Sequence, residues 1–310
     1  MEFFGKETRI DFLGLRIPAL VLSLLLVAAS IGTLATRGLN FGIDFTGGVL
    51  LEVGYPEAVE LDPIRQVLAN EGYPDAVVQH FGVNKDVLIR MQPNDDRSSA
   101  DISTEVLQAL RQQDEAAEMR RVEFVGPQVG DQLTEQGIEA MMFALIGILI
   151  YVSLRFQWKL ALGSVAALAH DVILTVGVFS FFGIPFDLTV LAAILAVIGY
   201  SLNDTIVIFD RLRENFRLMR TGTAIDVANA SINQTMSRTI MTGVTTLLVL
   251  GALFYLGGEV IHSFAFALII GVIVGTYSSI YVASAIALMS GLTKEDLLPV
   301  EEKEPLDDLP

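Results

Sequence analysis

The chain has 310 residues, of which 52% are apolar and only 18% charged, and its formal net charge is −16. Soluble proteins of this size carry nearer a quarter of their residues as Asp, Glu, Lys or Arg, so the composition points to the bilayer. The acidic balance argues against a nucleic-acid partner, and the absence of cysteine excludes disulfides, thiolate metal sites and cysteine nucleophiles.

Six apolar runs are long enough to cross ~30 Å of hydrocarbon as helices, at 17–36, 136–155, 160–182, 187–209, 238–257 and 263–290. Lys6, Arg9 and Arg16 precede span 1 in the manner of a signal peptide. The run is long for an h-region and five more follow, so it reads as a retained anchor. Basic residues also mark the connection of spans 2 and 3 (Arg155, Lys159) and the stretch after span 4 (Arg211, Arg213, Arg217, Arg220). The connections at 182–187 and 257–262 carry neither Lys nor Arg, so both termini and the 211–235 loop are expected in the cytoplasm.

These spans divide the chain into a cytoplasmic N-terminus (1–16), span 1, an extracytoplasmic α/β domain (37–135), a bundle of spans 2–6 (136–290) and an acidic cytoplasmic tail (291–310). Within the domain, strands are expected at 50–55, 76–81, 86–91 and 121–125, with helices at 62–71 and 100–112. That order, β-α-β-β-α-β, is the split βαβ or ferredoxin-like arrangement. The fold class is therefore a polytopic α-helical membrane protein, six helices with one α/β domain between the first two. On span 6, Ser263, Ala267, Gly271, Gly275, Ser279, Ala283 and Ala287 recur every four residues, a small-residue stripe for close helix packing.

No phosphate-binding Gly-x4-Gly-Lys-Ser/Thr loop, dinucleotide fingerprint or His-Glu-x-x-His motif occurs, and His80, His170 and His262 are dispersed. No cofactor and no metal are called for, and work by this chain must draw on an ion gradient or a partner. The informative residues are charges inside the spans, each costing about 2.5–3.5 kcal/mol at a helix centre. Asp171 follows His170 some twelve residues, or ~18 Å, beyond Lys159. Asp204 follows Asn203 and lies ~10 Å inside the boundary at Arg211, and Arg238 opens span 5. Tyr200 and Ser201 share the Asp204 face; Thr235, Arg238, Thr242 and Thr245 form a stripe on span 5, and Ser164, Asp171 and Thr175 one on span 3. Three polar faces predict a buried, hydrogen-bonded interior. From spacing, an Asp204–Arg238 pair serves equally as an ion carrier or as a structural clamp, and Asp171 as a relay or an interhelix hydrogen bond.

Several segments resemble the SecD/SecF family of the resistance-nodulation-division superfamily. They are Phe41-Gly-Ile-Asp-Phe-Thr-Gly-Gly48, with Gly42, Asp44, Gly47 and Gly48; Gly126-Pro-Gln-Val-Gly130; His170-Asp171; the long run from Gly199 to Asn215; Ser231 to Thr239; and Gly275-Thr-Tyr-Ser-Ser279. The resemblance implies a transport subunit rather than an enzyme, held in the bacterial inner membrane with SecD and docked on the SecYEG channel, often with YajC. It further implies that proton flow helps move unfolded secretory polypeptide on the outer face, with Asp204 the proton-carrying carboxylate and Arg238 its partner. A small-molecule or lipid exporter would need a larger external region and two six-span halves; a passive scaffold would need no buried carboxylate.

Overall fold

A computed structural model describes residues 9–92, 99–219 and 221–293. Lys6, Arg220 and the acidic stretch 295–308 lie outside the described residues.

Six helices are long and apolar enough to cross a membrane. The first, α1 (Arg16–Arg37), is continuous with a 3-10 turn at Leu13–Leu15. After it come a two-residue strand β1 (Asn40–Phe41) and one helical turn α2 (Ile43–Thr46). The domain then runs β2 (Gly48–Gly54), α3 (Leu61–Asn70), β3 (Val77–Phe81), β4 (Val83–Met91), α4 (Ser99–Gln113) and β5 (Glu118–Val125). Its sheet order is β3-β4-β2-β5 with every neighbouring pair antiparallel, the ferredoxin-like arrangement expected from the element order. Alternation fixes its faces. Val49, Leu51 and Val53 pack with Val87 and Ile89 beneath Ile64 and Leu68 of α3 and Ile102, Val106 and Leu110 of α4. Leu50, Glu52, Leu88 and Arg90 occupy the opposite face.

The bundle continues with α5 (Pro127–Arg155), α6 (Trp158–Phe182), β6 (Pro185–Phe186), α7 (Leu188–Leu218), α8 (Ala224–Leu256) and α9 (Glu259–Ser278). A π-helical turn at Ser279–Ala283 joins α9 to α10 (Ser284–Met289), completing span 6. Local signals explain the ends. Pro127 occupies the first turn of α5, where its missing N–H costs nothing. Gly183 closes α6 in the left-handed conformation, and the Asp187 side chain caps α7 at Val190 N.

Two helices run further than hydropathy shows. The expected 211–235 loop is mostly helix: α7 persists to Leu218 and α8 starts at Ala224, where Thr223 and Asp226 form a reciprocal capping box. With 31 and 33 residues, α7 and α8 are ~46 and ~50 Å long, so their polar ends project beyond the hydrocarbon. Hydropathy registers only the apolar middle of such helices.

The six spans are not equivalent. Half or more of the apolar window of spans 3, 4 and 6 is buried (50, 56 and 50%), against 11, 6 and 17% for spans 1, 2 and 5. Spans 3, 4 and 6 are the core, and the others line its outside.

Candidate functional site

Asp171 lies near the middle of α6 and Asp204 near the middle of α7, and both are buried, at 1 and 3% exposure. Their surroundings are opposite. Asp171 Oδ1 meets His170 Nδ1 at 2.9 Å, and its Oδ2 accepts from Ser201 Oγ of α7 and, at 2.7 Å, from Ser278 Oγ of α9. Thr205, one turn beyond Ser201, and Ser279, next to Ser278, share a hydroxyl bond of 2.8 Å. Asp171 is thus the node that ties spans 3, 4 and 6 together. Asp204 has no such shell: its Oδ2 is buried without a hydrogen-bond partner, as is the Tyr200 hydroxyl one turn earlier.

The third polar helix of this interior is span 6 rather than span 5. Thr235 is buried, but its hydroxyl returns to Ser231 and Ile232 carbonyls of its own helix, and Thr242 and Thr245 likewise bond within α8. Arg238 and Asn203 are exposed on the surface of this chain. Among the described residues no ion pair within 4 Å joins Arg238 to Asp204, although the guanidinium is near enough for its charge to act there. Sequence periodicity missed Ser278, which sits beside the small-residue stripe. The Ser278–Ser279 pair, two hydroxyls in an apolar helix, was the available signal.

The stripe itself has a partner inside the chain. A Cβ on Gly271 would lie 2.1 Å from Val197 Cγ2, and one on Gly275 would lie 3.0 Å from Ser201 Cβ, so both glycines let span 6 lie directly on span 4. Across the stripe, Gly163 of α6 packs against the Ala283 carbonyl in the π turn. His170, whose Nε2 is also buried without a partner, stacks on Tyr277 with ring centroids 6.2 Å apart. Tyr277 in turn donates to Ala19 O at 2.7 Å and accepts from Ser23, which draws span 1 onto this core. Among the described residues no group of three or more His, Asp or Glu is placed to hold a metal.

The glycine-rich segment after span 1 forms a second constellation where α6 ends and α7 begins. Asn40 and Phe41 pair in parallel with Pro185 and Phe186, and Gly42 N donates to Phe186 O at 2.8 Å. Asp44 Oδ2 accepts from Leu188 N at 3.0 Å, so the first turn of α7 is held by Asp44 as well as Asp187. Gly47 and Gly48 have φ of 67° and 127°, where a side chain is strained, and a Cβ on Gly48 would strike the Met91 carbonyl. Between this segment and the second face of the sheet lies a cleft of about 120 Å³ lined by Glu52, Leu88, Arg90, Glu123, Asp187 and Ser263.

Six membrane-length helices, a ferredoxin-like domain between the first two and carboxylates buried in the bundle define a polytopic transport-type membrane protein. The chain belongs to the SecD/SecF family of protein export membrane proteins: residues 105–293 match its C-terminal family and residues 32–55 its GG motif. It is 54% identical to protein translocase subunit SecF of Vibrio alginolyticus over 98% of this chain and 97% of that one. The Pseudomonas aeruginosa SecF is 50% identical over 98 and 99%. The crystal structure of SecDF, a translocon-associated membrane protein from Thermus thermophilus, superposes with a TM-score of 0.84 at 38% identity. The match covers 92% of this chain and only 39% of that longer one.

Proposed function

We propose that this chain fills the SecF role in a bacterial Sec translocase, working with SecD beside the SecYEG channel, with YajC as a further associate. In this reading the ferredoxin-like domain is extracytoplasmic, both termini face the cytoplasm, and the protein spans the inner membrane. The proton-motive force promotes late movement and release of unfolded secretory polypeptide. Asp204 takes up and releases the proton, Arg238 answers the ionised form, and Asn203 and Tyr200 line the way to it.

The observation that carries this reading is the orphaned Asp204 oxygen. A buried carboxylate oxygen without a partner costs free energy, and Asp204 carries that cost while Asp171 in the same bundle has both oxygens bonded. An exchanging carboxylate needs what Asp204 has: burial, a nearby positive charge that is not locked to it, and a polar surface beside it on Asn203 and Arg238. One charge crossing the membrane gains about 2.3 kcal/mol per 100 mV, so work accumulates over repeated cycles. The two protonation states must favour different positions of spans 4 and 5 for this to move anything.

Asp204→Asn keeps the shape of the side chain and removes its ionisation. It is expected to fold, to co-purify with SecD and to abolish the part of preprotein export that an uncoupler abolishes in the parent. Export at the parental rate with the parental response to uncoupler would reject the proton role and leave a structural clamp.

A further inference from the structure

Resting on the reading of Asp204 as the driven group, we propose that Arg90 and Asp44 are the positioning residues of a rigid joint through which α7 moves the external sheet. Arg90 projects from β4, an interior strand whose register sets it opposite Leu50 of β2 and Val77 of β3. Its Nη1 donates to the Phe41 carbonyl and its Nη2 to Asn40 Oδ1. Those two residues form β1, which is paired with Pro185–Phe186, and Asn40 Nδ2 donates to Gly183 O at 2.8 Å. Asp44 closes the path by holding Leu188 N, the first residue of α7, ~24 Å along the helix from Asp204. From sheet to helix the path is two hydrogen-bonded contacts, at Arg90 and at Asp44, joined by the short covalent run from Phe41 to Asp44.

The joint is also packed. Phe41, Phe45, Phe179 and Phe186 meet with centroids 5.8–6.3 Å apart. Gly130 of α5 lies so close to Gly47 that a Cβ there would come within 2.8 Å of its nitrogen. Without Arg90, the sheet would attach to this block chiefly through Gly47–Gly48 and Gly126, three glycines at its two covalent connections, which suit a hinge. A bidentate guanidinium suppresses that freedom because it fixes orientation as well as distance. Burial favours the neutral form of Arg90, yet arginine keeps its charge, so the bond persists at any physiological pH. The carboxylates around it, Glu52, Glu123, Asp44 and Asp187, line the same cleft.

Arg90→Met keeps the aliphatic stem and removes the fork; Arg90→Lys keeps charge but makes one directed bond. Spin labels at Gln66 on α3 and Phe182 at the end of α6, in the intact complex with SecD, report the angle of the sheet to the bundle. A narrow distance distribution is expected in the parent, a broad one in Arg90→Met and an intermediate one in Arg90→Lys. Export by Arg90→Met should fall about tenfold at normal protein level, within the ~5–150-fold range that coupling free energies span. Since the chain has no cysteine, Asn40→Cys with Arg90→Cys, without the spin-label sites, can be bridged by a short bis-maleimide that adds to both thiols, which should restore export. An unchanged distribution in Arg90→Met, or a lost export that bridging does not restore, would overturn the joint. Because the distance readout does not involve Asp204, a normal Asp204→Asn protein would remove the proton reading while leaving the joint decided by its own result.

Discussion

Two aspartates of the same bundle illustrate how much one hydrogen-bond shell decides. Asp171 receives Ser201 and Ser278 and contacts His170, so its removal strands Ser201 Oγ and His170 Nδ1 in the buried interior and leaves Ser278 Oγ only the Gly275 carbonyl. Each unsatisfied group costs about 1–3 kcal/mol. Asp171→Ala is therefore expected to lose several kcal/mol and to melt markedly lower in detergent, with Asp171→Asn, which keeps one accepting oxygen, in between. Asp204→Asn breaks no hydrogen bond and should melt with the parent. If Asp171→Ala were as stable as the parent, Asp171 would not be the node. Exposed pairs matter less: Arg155 and Asp210 are linked at 2.7 and 2.8 Å between α5 and α7, yet both stand about 40% in solvent, which limits them to ~1 kcal/mol.

At the scale of elements, the small stripe of span 6 is consumed inside the chain, since span 4 lies directly on it. It is therefore not the surface for a second six-span subunit. Gly271→Ala places a methyl 2.1 Å from Val197 Cγ2, an overpacking that costs ~1–3 kcal/mol. Val197→Ala removes the two nearest atoms and should return part of that stability, seen as favourable coupling in a double-mutant cycle of melting temperatures. Strict additivity would mean the two helices do not meet there. The sheet shows what alternation alone can do. Helices read at 62–71 and 100–112 occur at Leu61–Asn70 and Ser99–Gln113, and the inward and outward faces of β2 follow its residues. The short pairing of β1 with β6 was not legible, because two residues carry no period and their partners lie 145 positions away.

For the whole molecule, three core spans and three peripheral ones leave much of spans 1, 2 and 5 open to lipid or to another subunit. Arg238 and Asn203 reach this outside rather than the sealed interior. The topology is checked on the cysteine-free background with single cysteines at two exposed residues, Asp75 and Thr221. An impermeant maleimide should label Asp75→Cys in intact spheroplasts and Thr221→Cys only after permeabilisation; the reverse pattern would invert the orientation. The number of spans, the order of the sheet elements and the helices bearing Asp171 and Asp204 were all determined by the sequence, because hydropathy and period are properties of a segment by itself. Which hydroxyls satisfy Asp171, why Asp204 is left without a partner, and that span 4 lies on the glycines of span 6 were decided only in the tertiary structure. A helical period tells which residues share a face but not which helix lies opposite it, and a hydrogen bond exists only once two faces have met.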